Sequence, residues 1–183
     1  IGAGCAAYFA ARGARVTILP VDASGIVSPE RLREAITDAT ALVSVMHANN
    51  EIGTIQPIAE LAAIAHERGA LFHTDAVQSA GKLPLDVRAL GVDMLSIAGH
   101  KFYGPKGTGA LWLRRGVRLV PPMTGGRQER NRRAGTENVP ALVGLGVAAE
   151  VARQKLAGEA ARLGALRDRL EAGLLAGVPG SER

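Results

Sequence analysis

The sequence predicts an α/β protein whose sheet is mainly parallel and flanked by helices. Two observations carry that expectation. Short β-rich apolar runs alternate with helix-patterned segments along most of the chain, which is the signature of βαβ units. The composition agrees, with 47% hydrophobic and 21% charged residues in a chain of 183, enough for one domain with a substantial core. Aromatic residues are only 3%, so Ala, Leu, Val and Ile must fill that core.

The elements follow in order. Gly2–Arg12 is Ala-rich and helix-like and stops at Gly13. Val16–Leu19 is a short strand candidate. Ser28-Pro29-Glu30 opens a helix, with serine as N-cap and proline at the first helical position. Leu42–Met46 is an apolar strand candidate. Pro57–Arg68 carries Ile58, Leu61, Ala62 and Ala65 at helical spacing and ends at Gly69. Ala70–Asp75 reads as a strand, Val87–Leu90 as a short helix, Met94–Ile97 as a strand and Thr108–Leu113 as another. The link into this last strand is too short for a helical crossover, so an antiparallel addition is expected there. Ala141–Leu156 and Glu159–Leu175 read as two long helices with no strand between them. Residues 1–156 are expected to form part of a large domain, and residues 157–183 to begin the connection to a second, smaller one.

Charge and cysteine usage narrow the function classes. The formal net charge is +5, which suits anionic ligands without implying nucleic acid. Arg127–Arg133 holds four arginines but no interleaved aromatics for base stacking. The one cysteine, Cys5, cannot build a disulfide framework and suits a reducing compartment, so a cytoplasmic protein is expected. No apolar run is long enough for a membrane span, and no secretory signal is read before the first helix. The chain starts at Ile1 directly in a helical pattern and reads as a piece of a longer protein. His47, His66 and His73 lack metal-ligand spacing.

In open α/β sheets ligands collect at the carboxyl ends of strands. Three polar clusters fall at such ends: Asn49-Asn50-Glu51 after Met46, Asp75-Ala76-Val77-Gln78, and Gly99-His100-Lys101 after Ile97. Three consecutive strands would deliver an amide, a carboxylate and an amine to one rim. That set suits pyridoxal phosphate, which needs a lysine amine to bind its aldehyde as a Schiff base and a carboxylate to keep its ring nitrogen protonated. Lys101 fits the first need and Asp75 the second. Gln78 could donate to the phenolic oxygen and His100 could contact the phosphate. Lysine is scarce, with 22 basic residues of which only Lys82, Lys101, Lys106 and Lys155 are lysines. Lys106 is the rival, but it follows Pro105 in a glycine-rich turn and is expected to be exposed. Gly104–Gly109 lacks the spacing of a nucleotide-binding P-loop. His73 falls on the same side of its strand as Asp75 and could orient it.

The runs "MHANNEIGTIQPI", "HTDAVQSAGKLPLDV", "LSIAGHKFYGPKGTGAL" and "RRAGTENVPALVGLG" resemble, in order and spacing, the cysteine desulfurases of the class V aminotransferase group. The resemblance covers almost the whole chain. It implies fold type I of the pyridoxal-phosphate-dependent transferases, with a mainly parallel seven-stranded type of sheet. It implies L-cysteine as substrate, a sulfur-acceptor protein as partner and a homodimer, with sulfur destined for iron–sulfur clusters or thiolated cofactors. By position, Lys101 would hold the cofactor and shuttle protons, Asp75 would pair with the pyridinium and Gln78 would contact the phenolic oxygen. Asn50 would lie near the ring edge and substrate carboxylate, and His100 would bind the phosphate. Thr136, otherwise a simple helix N-cap, would reach the phosphate of the partner subunit.

One position departs from the pattern. Many relatives carry a phosphate-binding serine three residues before the lysine, and here Ala98 stands there. The lost hydrogen bond is worth roughly 1 to 3 kcal/mol when its partner is charged. The resemblance also places a ring-stacking histidine and a phosphate loop before Ile1. It places the sulfur-accepting cysteine and a substrate-binding arginine after Arg183, so Cys5 is not that cysteine. Selenocysteine lyases share "GHKFYGP" and "GGRQERNRRAGTEN", whereas "GPKGTGAL" favours the desulfurases. An inactive interaction or dimerisation module is the alternative of another class.

Overall fold

The computed structural model describes residues 7–182; Cys5 and the first part of the expected N-terminal helix lie outside them. Strands β1 (Leu42–Met46), β2 (Leu71–Asp75), β3 (Met94–Ala98) and β4 (Gly109–Leu113) form one sheet in the order β1-β2-β3-β4. The chain divides into two compact units, one of residues 1–75 and 87–95, the other of residues 76–86 and 96–183. No helix among the described residues is long and apolar enough to cross a membrane.

In the first unit, helix α1 (Pro29–Ala35) begins where the sequence places it. The Ser28 hydroxyl accepts from the amides of Glu30 and Arg31, at 3.1 and 3.3 Å. These bonds satisfy two of the orphan donors of the first turn. Helix α2 (Ile58–Glu67) buries Ile58, Leu61, Ala62, Ile64 and Ala65, the apolar stripe expected of a core-facing helix. It links β1 to β2, which pair in parallel with Val43 opposite Phe72 and Met46 opposite Asp75. Phe72 is fully buried. Helix α3 (Val87–Leu90) precedes Val92 and Asp93, both buried. Val16–Leu19 is not a strand: among the described residues the pairing nearby is an isolated bridge between Val21 and Val27, and Ile18 is 75% exposed. Without a ladder partner, β-favouring residues do not make a strand.

In the second unit, β3 runs into a single 3-10 turn, Gly99–Phe102, closed by Tyr103 at φ 66°. Phe102, Ala80 and Leu145 form a buried cluster, with Leu85, Ile97, Ala148 and Ala152 packed around it. Two glycines permit this packing. A Cβ at Gly99 would come within 2.6 Å of Thr108 Oγ1, and one at Gly81 (φ 73°) within 2.7 Å of the Phe102 Cβ. The short segment α4 (Gln128–Asn131) is a left-handed turn rather than a right-handed helix, with Glu129, Arg130 and Asn131 all at positive φ.

The two C-terminal helices expected from sequence are one, α5 (Val139–Gly177), of 39 residues. Gly158 does not break it. An interior glycine costs only about 1 kcal/mol against alanine, and the flanking turns carry helix-stabilising pairs, Arg153–Glu150 at 2.7 Å and Arg162–Glu159 at 2.6 Å.

Candidate functional site

The loop after β1 separates two neighbouring asparagines by job. The Asn49 side-chain oxygen accepts from the amides of Glu51 and Ile52, at 2.8 and 3.1 Å. Asn49 is thus the turn builder. Asn50 beside it is exposed and carries no such turn bond.

Asp75 closes β2, and its carbonyl accepts from the His47 amide at 2.8 Å. Strand alternation puts His73 and Asp75 on one face and buried Thr74 on the other, where the Thr74 hydroxyl donates to the Val45 carbonyl at 2.9 Å. On the first face, His73 Nδ1 lies 2.8 Å from the hydroxyl of Ser44, its partner in the β1–β2 register. Burial pushes His73 below the ordinary imidazole range, and the nearby Asp75 charge partly offsets this. Burial lowers His47 as well.

Both shifts have one consequence for stability. Below about pH 6.5 the unfolded chain takes up protons that the folded chain refuses. The stability these imidazoles permit is therefore complete above that pH and is lost as pH falls towards their folded values. Urea midpoints should be lower at about pH 5.5 than at about pH 7.5, and His73→Gln should narrow the gap. An unchanged gap would show that His73 does not titrate there.

The second unit holds Gln78, His100, Lys101 and Thr136; Asn50 and Asp75 belong to the first. Gln78 is half-buried on a turn fixed by the Ser79 and Ala80 amides, which donate to the Ala76 carbonyl at 3.1 and 2.9 Å. Lys101 is half-buried and His100 exposed on the 3-10 turn. The Gly104 amide closes that turn onto the Gly99 carbonyl at 2.8 Å, and the Gly99 amide donates to the Thr108 carbonyl at 2.9 Å. Lys106 is exposed, as expected. Thr136 is not the N-cap of α5. Asn138 is, with its side chain accepting from the Ala141 amide at 3.3 Å.

Three contacts were not legible as such in the sequence. Lys82 Nζ donates to the Lys101 carbonyl at 3.0 Å. Ser44 pairs with His73. His66 bonds the fully buried Asp93 at 2.8 Å. Only the scarcity of lysine hinted at the first. An open groove of about 570 Å³ lies along Val120, Met123, Gly125, Arg127 and Arg133, and none of the six expected site residues lines it.

An α/β sheet with a lysine on the turn leaving one strand and a carboxylate closing another has the donor chemistry that pyridoxal phosphate requires: an amine for its aldehyde and an anion for its ring nitrogen. Residues 4–181 match the aminotransferase class-V family, and the chain belongs to that family. Pyridoxal phosphate is the cofactor of its members. A cysteine desulfurase of Gluconacetobacter diazotrophicus is 58% identical over 171 residues, 93% of this chain and 43% of that protein. The chain thus spans less than half the length of that relative. Among solved structures, a NifS-like protein superposes with a TM-score of 0.89 at 42% identity, over 93% of this chain and 47% of its own. SspA in complex with cysteine gives 0.77 at 46% identity, over 80% of this chain and 43% of its own.

Proposed function

We propose that the protein is a cysteine desulfurase, converting L-cysteine to L-alanine and passing the sulfur as a persulfide to one of its own cysteines. The observation that carries this is the 58% identity to a cysteine desulfurase over 93% of the chain. The similarity to a structure solved with cysteine supports the substrate. A sulfur-acceptor protein would then take the sulfur towards iron–sulfur clusters or thiolated cofactors, and we place the activity in the cytoplasm.

When bound, pyridoxal phosphate supplies an electron sink for the bond broken at the substrate Cα. The residues of this chain do the rest. Lys101 holds the cofactor through its amine, removes the Cα proton and returns protons later. Asp75 keeps the ring nitrogen protonated, because a carboxylate beside a nitrogen base favours its charged form. Gln78 donates to the phenolic oxygen. His100 holds the phosphate, and Thr136 reaches the phosphate of the partner subunit in a homodimer. Asn50 orients the substrate carboxylate.

The test uses the full-length protein loaded with pyridoxal phosphate. Alanine and persulfide should form from L-cysteine, and borohydride reduction should fix the cofactor on the peptide containing Lys101. Turnover of selenocysteine alone, or label on Lys82 or Lys106, would overturn the reading.

A further inference from the structure

Four lysines serve a chain with 22 basic residues, and two of the four meet. Lys82 Nζ donates to the backbone carbonyl of Lys101 at 3.0 Å. Two amines that both carry charge repel, so a purely solvating cation would turn away from this neighbour. Much of the Lys82 side chain is exposed, yet its ammonium sits partly desolvated at the carbonyl. Burial, and then the charge of Lys101, lower its pKa.

The backbone around this contact is fixed on both sides. The segment carrying Lys82 is closed by the Lys82 and Leu83 amides, which both donate to the Ser79 carbonyl at 2.9 Å. Ser79 is buried, and its hydroxyl donates to the Ala76 carbonyl at 3.2 Å. Gly81 packs so closely on Phe102 that a Cβ there would lie 2.7 Å from the phenylalanine Cβ. Phe102 is the residue after Lys101. The two turns are therefore locked by a van der Waals contact at one position and a charge-assisted hydrogen bond at the next.

A one-turn 3-10 helix leaves its last carbonyls without intrahelical partners. The Lys101 carbonyl is one of these, and Lys82 supplies its donor. We infer that Lys82 is a positioning residue for Lys101: it holds the peptide from which the cofactor-binding amine projects. The inference rests on the function proposed above. It adds a residue that touches neither substrate nor cofactor and acts through the Lys101 backbone.

The test compares Lys82→Met and Lys82→Arg with the wild type in the full-length protein loaded with pyridoxal phosphate. Methionine keeps the aliphatic stem and removes the donor, whereas arginine keeps a charged donor. Four quantities are read: the melting temperature without cofactor, the rate of cofactor release, the visible circular dichroism of the bound cofactor, and kcat against KM for cysteine. Lys82→Met should release cofactor roughly tenfold faster and lower kcat by a similar factor with KM little changed, the size expected of one hydrogen bond to a charged group. Its visible dichroism should weaken while its melting temperature stays near the wild-type value. Lys82→Arg should recover most of each loss.

Wild-type release rate, dichroism and kcat in Lys82→Met would overturn the inference alone. So would losses that follow the melting temperature, or losses that arginine leaves unrepaired. A wild-type protein that carries no cofactor on Lys101 would overturn the proposed function, and this inference with it.

Discussion

Lys101→Ala is expected to lower kcat by about a thousandfold or more, because under the proposed function one side chain would both anchor the cofactor and move protons, and positioned proton transfer alone is worth about 10² to 10⁴. Lys101→Arg should be as inactive as alanine. A guanidinium keeps its proton at any pH the protein survives, so it offers a charge of the right sign but no free amine. That pair of variants separates chemistry from electrostatics. Both should still retain some pyridoxal phosphate through its phosphate contacts, released on gel filtration and not fixed by borohydride. Alanine production from cysteine is the measurement, and turnover of Lys101→Arg within about tenfold of the wild type would remove Lys101 from the centre of the mechanism.

Lys101 also shows why a candidate cofactor lysine could be chosen from the sequence. Its turn is local: Gly99, His100 and Lys101 follow β3 without an intervening loop. The same is true of Asp75, the last residue of β2. Residues that end strands stand out as candidates, because the apolar run stops at a polar cluster and ligands tend to collect at the carboxyl ends of strands in α/β sheets. The helix starts were legible for a similar reason. Ser28 and Pro29 specify the start of α1 within one turn of chain.

Much of what escaped the sequence depended on partners distant along the chain, with one local exception. Asn49 and Asn50 are adjacent and of one type, yet only Asn49 folds back on the amides of the loop. Ser44 and His73 are 29 residues apart and meet only through strand register. Lys82 meets Lys101 across 19 residues. The C-terminal helix misled in the opposite sense. The expected gap between Leu156 and Glu159 contains Gly158, which stays helical instead of turning left-handed, and salt-bridged turns carry α5 through it. Val16–Leu19 has the residues of a strand and no ladder partner among the described residues. A local preference of a few tenths of a kcal/mol yields to such a context.

Asp93 gives the largest expected effect on stability, and nothing in its sequence surroundings pointed to it. The residue is fully buried. One of its carboxylate oxygens accepts from the Phe72 amide at 2.7 Å and from His66 Nε2 at 2.8 Å, while its own amide donates to the Phe72 carbonyl at 2.9 Å. Asp93 therefore ties the start of β3 to the start of β2 and to the last turn of α2. Asp93→Ala removes the acceptor and strands the Phe72 amide beside a side chain with no solvent access. A lost charge-assisted bond and a buried unsatisfied donor together cost about 3 kcal/mol. Asp93→Asn keeps an acceptor for Phe72 and loses the charge, so it should cost about half as much. His66→Ala should cost about 1 kcal/mol or less, since the histidine is 39% exposed and solvent screens its share. In urea, a loss of about 3 kcal/mol moves the midpoint by about 1 to 2 M. Exchange of the Phe72 amide should accelerate in Asp93→Ala far more than in His66→Ala. If the two variants were equally destabilised, the surface histidine rather than the buried amide would be the partner that Asp93 is there to hold. In that case the clasp would act from the helix side, and β2 would owe its position to the α2 core alone.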